Sequence, residues 1–101
     1  MKIRLYSIKD RLLGAFLAPF CARADVEAVR QLRASMQDPQ MAKSVLVTSP
    51  QDYDLYYVAT FDDETGQLEQ ARPDLVLPLT KINATEITYA EKMVSNDPVQ
   101  S

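Results

Sequence analysis

Apolar and polar residues alternate at the start of the chain. Over residues 3–8 the odd-numbered positions form one face and the even-numbered positions the other, which is the period of a half-buried strand. Residues 9–11 have the composition of a turn, and the apolar run over residues 12–20, stopped near Pro19, predicts a second strand. Because these strands are so close in sequence, we expect an antiparallel hairpin.

The apolar spacing becomes helical over residues 25–37. The apolar positions recur three or four residues apart, at Val26, Val29, Leu32 and Met36. Asp25 is expected to accept a hydrogen bond from an amide at the helix N-terminus, and its negative charge is expected to interact favourably with the positive end of the helix dipole. The helix is expected to end at Asp38, because a residue that precedes proline avoids the helical region.

Two short segments follow the helix. Residues 45–47 fit either a short strand or a buried loop. Ser49 and Pro50 precede an acidic residue, and this order predicts one helical turn with Ser49 as its N-cap.

The next strand, over residues 53–61, contains three tyrosines. Strand alternation places Tyr57 on the face of Leu55 and Phe61, the best core face available, and Tyr56 on the opposite face. The loop over residues 62–66 predicts a hairpin in which Gly66 takes a positive φ. A fourth strand is expected from Gln67 to about Pro73.

The last twenty residues contain signals of a second, shorter helix. Asn83 and Glu86 have the spacing of a capping box, and Ile82 with Ile87 has that of a hydrophobic staple. An apolar stripe follows at Ile87, Ala90, Met93 and Val94.

These elements predict an α+β fold. We expect a small antiparallel sheet of about four strands in ββαββ order, with one main helix on a face and a short C-terminal helix. The alternative is an OB-like small barrel. Residues 1–80 are expected to form a single domain, and residues 81–101 a C-terminal extension. A sheet this small leaves edges and apolar area uncovered, which predicts a homodimer or a larger oligomer.

The composition argues against catalysis. The chain of 101 residues contains no histidine, one cysteine (Cys21) and two glycines, Gly14 and Gly66. It therefore lacks a histidine base, a zinc ligand set and a Gly-rich phosphate loop, and we predict neither enzymatic activity nor a cofactor. No apolar run is long enough to cross a bilayer, and the N-terminus lacks the pattern of a signal peptide. A single cysteine is typical of a reducing cytoplasm, and its default role is a buried structural thiol.

The charges are unevenly distributed. Residues 1–43 carry eight basic and four acidic side chains, a balance of +4, and residues 44–101 carry three basic and ten acidic ones, a balance of −7. The basic half can bind phosphate, or it can pair with the acidic half of another copy. The acidic residues 62–64 lack the spacing of a calcium loop and predict a solvated turn.

Six residues are candidates for nucleic-acid binding, through guanidinium contacts to phosphate and through stacking of tyrosine rings on bases. They are Arg4, Tyr6, Arg23, Arg30, Arg33 and Tyr56. The alternative for the tyrosines is that they are simply good strand formers, and we favour it for Tyr56. The alternative for the arginines is a solvated helix face with local ion pairs such as Glu27 with Arg30.

The order of these motifs resembles a known family. The chain contains YSIKDRLLGAFLAPFCARADVEAVR, then MQDP, then SPQDYDLYYVATFDDETGQLE. This pattern resembles the small non-structural protein of gokushovirus-like microviruses, bacteriophages with circular single-stranded DNA genomes. The resemblance covers residues 3–80 and departs from the family pattern at Gln51 and Ala59. The matching positions are Ser7, Ile8, Asp10, Pro19, Phe20, Ala28, Arg30, Asp38, Pro39, Pro50, Asp52, Tyr53, Leu55, Phe61, Asp62, Thr65 and Gly66.

The resemblance implies a non-enzymatic protein associated with single-stranded viral DNA during genome replication or packaging, in the host cytoplasm and without a membrane. The alternative is a protein–protein adaptor that docks on the replication initiator, a host factor or the procapsid without touching DNA. The acidic half favours the adaptor, and the basic half favours DNA. An internal scaffold is a third, weaker interpretation, because scaffolds tend towards long helices.

Overall fold

The computed structural model describes residues 1–83, without the side chains of residues 70 and 71. Two helices and five strands occur in the order β1 (Lys2–Asp10), β2 (Ala15–Phe16), β3 (Phe20–Ala22), α1 (Asp25–Met36), α2 (Val45–Thr48), β4 (Tyr53–Asp62) and β5 (Leu68–Pro78). Single 3₁₀ turns lie at Pro39–Met41, Pro50–Asp52 and Leu79–Lys81. The signals for the C-terminal helix depend on residues beyond 83 and lie outside the described residues.

The strands form one antiparallel sheet in the order β2-β1-β4-β5, with β3 also paired to β1. Helix α1 covers one face of this sheet, so the mixed α+β class is confirmed. In the described part of the chain the sheet is open, with β5 at one edge, and it is not the OB-like barrel given as the alternative. The element order contains one strand more than predicted before the helix.

The extra strand arises from a bulge in the second arm of the hairpin. Three steps along β1, from Lys9 to Tyr6, correspond to four steps along the other arm, from Phe16 to Phe20. The inserted residue lies in the segment 17–19, where Pro19 has no N–H to offer the ladder. As a result Phe16 and Phe20, which share a face by simple alternation, lie on opposite faces.

A second bulge lies in β4, at Val58. Tyr57 pairs with Tyr6, whereas Ala59 pairs with Leu5, so one residue of β4 is extra between these pairs. The prediction that Tyr57 and Phe61 share a face is therefore wrong. Tyr57 packs towards the core, and Phe61, which pairs with Ile3, lies on the other face.

Strand β5 is longer than predicted, because it continues through Pro73 to Pro78. Proline is tolerated there for two reasons: β5 is an edge strand, and its register with β4 shifts at this point. The hairpin loop before β5 is as predicted, since Gly66 has a φ of 76° and donates its N–H to the carbonyl oxygen of Asp62.

Helix α1 begins at Asp25 with Ala24 as N-cap, and no side chain caps it. The prediction that Asp25 caps an amide is therefore wrong, because its carboxylate accepts hydrogen bonds from Arg4 and Tyr6 instead. The helix ends before Asp38, as predicted. Residues 45–47 form neither a strand nor a loop but helix α2, in which the Ser44 hydroxyl accepts a hydrogen bond from the Leu46 N–H.

The core lies between α1 and the sheet face beneath it. Its buried apolar residues are Tyr6, Ile8, Ala22, Ala28, Val29, Leu32, Tyr53, Leu55, Leu79 and Ile82. Because Leu79 and Ile82 belong to this core, the folded unit extends past residue 80. In the β1–β4 register, the pair of Tyr6 and Tyr57 lies under the helix and the pair of Ser7 and Tyr56 lies on the opposite face.

Candidate functional site

The tyrosines of β4 are divided between the two sides of the sheet. Tyr53 is buried, and Tyr57 is half-buried against the core, with its ring centroid 5.9 Å from that of Tyr6. Tyr56 lies on the opposite face, as predicted, and remains half-exposed. Tyr56 is thus the one tyrosine of β4 that can meet a ligand above the open side of the sheet.

Tyr6 belongs to the core and not to a nucleic-acid interface. Its side chain has no exposed surface, and its hydroxyl donates a 2.6 Å hydrogen bond to Asp25 Oδ1. Burial, followed by the adjacent Asp25 carboxylate, raises the pKa of the Tyr6 hydroxyl above its ordinary value. We correct the prediction that Tyr6 stacks on bases, because the folded chain leaves no face of this ring accessible.

Arg4 is engaged by the same cluster. Its Nε donates to the Tyr6 hydroxyl oxygen, its NH2 lies 3.2 Å from Asp25 Oδ1, and its guanidinium carbon lies 3.9 Å from the Tyr57 ring centroid. A phosphate that approached Arg4 would compete with the Asp25 carboxylate. This arrangement makes Arg4 a link between β1, β4 and the start of α1.

Arg23 is exposed, and its guanidinium makes two hydrogen bonds to Glu27 Oε2, while its backbone N–H donates to Glu27 Oε1. These bonds lower the pKa of the Glu27 carboxyl. Arg4, Arg23, Ala24 and Asp25 line a shallow cavity of about 220 Å³. Both arginines at this cavity already have carboxylate partners.

The six candidate residues do not form one surface. Arg4 and Arg23 lie at the N-terminus of α1, whereas Arg30 is exposed and Arg33 half-exposed farther along the helix. Tyr56 lies on the far side of the sheet. Among the described residues, four basic side chains of residues 1–43 form ion pairs with carboxylates: Lys2, Arg4, Arg11 and Arg23.

The sheet face away from α1 is rich in apolar side chains, and we call it the open face. Register places on it Ile3, Leu5, Phe16, Tyr56, Phe61, Leu68 and Leu75. Leu68 and Leu75 are 57% and 55% exposed. Phe16 packs edge-on against Tyr56 at 5.5 Å between centroids, and Lys9 Nζ lies 5.7 Å from the Phe16 ring. Cys21, opposite Leu5 in register, is exposed, which corrects the prediction of a buried thiol.

The β1–β2 turn presents two leucines to solvent, and we call Leu12 and Leu13 the leucine tip. They are 78% and 80% exposed, more than any other large apolar side chain described in residues 1–83. Asp10 Oδ1 accepts from both their amides, at 3.0 and 3.2 Å, and the Asp10 carbonyl oxygen accepts from the Gly14 N–H at 2.8 Å.

The base of this turn is anchored as well. Gly14 has a φ of 71°, which closes the turn, and the Arg11 N–H donates to the Asp52 carbonyl oxygen at 3.0 Å. The Arg11 guanidinium contacts Asp54 at 3.1 Å and the Gln51 carbonyl oxygen. The apolar run predicts a strand for the two leucines, whereas the Asp–x–x–x–Gly spacing around them is typical of a turn closed by a side chain.

An apolar groove of about 300 Å³ lies between α1, β3 and α2. It is lined by Ile8, Phe20, Gln31, Leu32, Ser35 and Leu46. Among residues 1–83 no group of His, Cys, Asp or Glu side chains is placed to hold a metal ion, and no helix is long and apolar enough to span a membrane.

The fold and these surfaces define a small mixed α+β protein with an open antiparallel sheet. The family model described as phage ORF5 protein matches residues 3–86, and the chain belongs to this family of bacteriophage proteins. No curated protein and no solved structure matches the chain.

Proposed function

We propose that this chain is a non-enzymatic accessory protein of a gokushovirus-like microvirus that acts during replication or packaging of the single-stranded DNA genome. It acts by docking on another protein of the same phage, either the replication initiator or a procapsid protein. The observation that carries this proposal is the leucine tip, which is apolar, exposed and hydrogen-bonded through its amides to Asp10.

The physical argument rests on what the tip offers a partner. Two leucine side chains that enter an apolar pocket each contribute about 1.5–3 kcal/mol, relative to remaining in water. The Asp10 and Gly14 contacts order the turn before it binds, so little conformational entropy is lost on docking. A turn whose amides are already satisfied has no need of leucine at its tip for folding, and this favours a role in recognition.

The charges support the same interpretation. Among the described residues, ion pairs with carboxylates engage four of the basic side chains of residues 1–43. A protein that neutralises several phosphates depends on accessible basic groups, because counterion release supplies most of the affinity. Docking through the leucine tip requires no such surface.

The test is isothermal titration calorimetry of the purified chain against the purified replication initiator and procapsid proteins of its phage. We expect one of them to bind, and Leu12→Ser/Leu13→Ser to weaken binding at least tenfold while the circular dichroism spectrum is unchanged. Val45→Ser is the matched control, because Val45 is 57% exposed but lies on α2. Absence of binding to all of these proteins, or equal binding by the tip variant, overturns the proposal.

A second candidate function is direct contact with single-stranded DNA. It is favoured by the half-exposed aromatic pair of Phe16 and Tyr56 with Lys9 beside it, since unpaired bases stack on such rings with about 1–3 kcal/mol per base. Arg30 and Arg33 lie on α1, across the sheet from this pair, so a single strand that contacts both has to pass around the edge of the domain.

This candidate is tested by fluorescence titration of labelled single-stranded and duplex oligonucleotides at two salt concentrations. It requires a preference for single strands at low salt, weakening by added salt, and losses of affinity in Tyr56→Ala and in Arg30→Ala/Arg33→Ala. Equal binding of single-stranded and duplex oligonucleotides, or binding that Tyr56→Ala does not weaken, excludes the open face as a DNA-binding surface.

A further inference from the structure

We infer that the open face is the interface of a homodimer in which two copies stack their sheets face to face. This surface is separate from the leucine tip, so the inference does not depend on the proposed docking function. The occupant is a second copy of this chain, related to the first by a two-fold axis.

The apolar character of the face is the first argument. Leu68 and Leu75 on β5 and Phe16 on β2 are exposed. Half-buried Phe61 and Ile3 continue the row of Leu68, and half-exposed Tyr56 lies between Leu75 and Phe16. These residues span the sheet from edge to edge, so they form a continuous patch and not scattered single side chains. Contiguous apolar patches of this kind on soluble proteins mark interaction sites.

The size of the face is the second argument. The face is four strand positions wide, at about 4.8 Å per strand, and nine residues long along β1, at about 3.3 Å per residue. Its area is therefore about 570 Å². Two such faces bury about 1,100 Å², which exceeds the roughly 1,000 Å² expected of a specific interface. Two stacked sheets also cover apolar side chains efficiently, because their inner faces interdigitate at a separation of about 10 Å.

The charge of the face is the third argument and favours a second copy over nucleic acid. Lys9 lies directly opposite Asp54 in the β1–β4 register, and Asp54 also contacts Arg11 at 3.1 Å. Two identical faces with so little net charge can approach each other without strong repulsion. A phosphate backbone on the same face finds few cations to replace its counterions.

The experiment is sedimentation equilibrium of the full chain over a range of concentrations, with two variants that place a charge on the face. We expect a mass of twice 11.4 kDa for the wild type. Leu68→Lys and Leu75→Lys are each expected to raise the dimer dissociation constant at least 30-fold, because each charge is buried twice in a two-fold interface. Both residues are more than half exposed in the single chain, so the variants retain the fold, which far-UV circular dichroism checks.

Leu12→Lys is the control, because it adds the same charge at the leucine tip and is expected to leave the dimer intact. A wild type that sediments at 11.4 kDa at every concentration overturns the inference. A dimer unaffected by both face variants also overturns it, since the contact then lies elsewhere. A monomer that binds single-stranded oligonucleotide, and loses that binding in Tyr56→Ala, overturns it in favour of nucleic acid.

Discussion

The hydroxyl of Tyr6 lies 2.6 Å from Asp25 Oδ1, which ties the centre of β1 to the first residue of α1. Arg4 completes the connection by contacting both groups. A single hydrogen-bonded cluster therefore sets where the helix starts over the sheet.

Removal of the Tyr6 hydroxyl should lower stability without changing the fold. In Tyr6→Phe the ring still fills the core, but Asp25 and Arg4 each lose a hydrogen-bond partner. We expect a loss of about 1–2 kcal/mol in the free energy of unfolding, measured by urea denaturation. Tyr56→Phe is the control and should change stability by less than about 0.5 kcal/mol. Equal stability of Tyr6→Phe and wild type would show that the cluster makes no net contribution.

The raised pKa of Tyr6 predicts a loss of stability in alkali. Below pH 10, the ordinary pKa of tyrosine, the hydroxyl is protonated in both the folded and the unfolded state. Above pH 10 the unfolded chain releases this proton first, so the unfolded state is favoured progressively as the pH rises. The stability advantage of wild type over Tyr6→Phe should therefore shrink from pH 10 upward. Parallel pH profiles of the two proteins would contradict this.

Deletion of Val58 should be tolerated, although it shortens the middle of a strand. Val58 is the extra residue of the β4 bulge, so its removal leaves Tyr57 under the helix and Phe61 on the open face. Deletion of Ser7 from the regular part of β1 instead turns every residue on one side of the gap to the wrong face. We expect the Val58 deletion to give a dispersed amide NMR spectrum and the Ser7 deletion to unfold. Unfolding of both would show that the bulge itself is required.

Substitution of Gly14 tests how much its positive φ, at the base of the leucine tip, contributes to the stability of the domain. Its φ of 71° is unfavourable for a residue with a side chain, but a Cβ at this position meets no atom within 4 Å. Gly14→Ala should therefore lower the free energy of unfolding by about 1–2 kcal/mol through backbone strain alone. Gly14→Asn should cost less, because asparagine tolerates this region. Chemical denaturation measures both, and a larger loss for asparagine would exclude this explanation.

Alternation and turn chemistry predicted much of this fold. The strand at the N-terminus, the limits of α1, the positive φ of Gly66 and the opposite orientations of Tyr56 and Tyr57 all follow from local preferences. These features depend on neighbouring residues, and a single sequence contains that information.

The structure differs from the sequence-based predictions at features that are set by tertiary strand pairing. Alternation shows that Arg4 and Tyr6 share a face but not that this face lies under the helix, so the sequence alone predicts an exposed Tyr6 ring. The bulges at residues 17–19 and at Val58 have no clear local signature, and each reverses the face of the residues beyond it. Pro73 predicts a strand end, and β5 continues past it because an edge strand tolerates proline; which strand lies at the edge depends on the whole sheet.

The leucine tip was missed for another reason. Apolar residues are expected inside, and Leu12 and Leu13 lie outside because no element described in residues 1–83 covers them. Asp10 and Gly14 determine the shape of this turn, and the two leucines contribute nothing to it. Residues 12 and 13 can therefore change during evolution without cost to the domain. Under the proposed docking function, related phages can then acquire different partners while they keep the same scaffold.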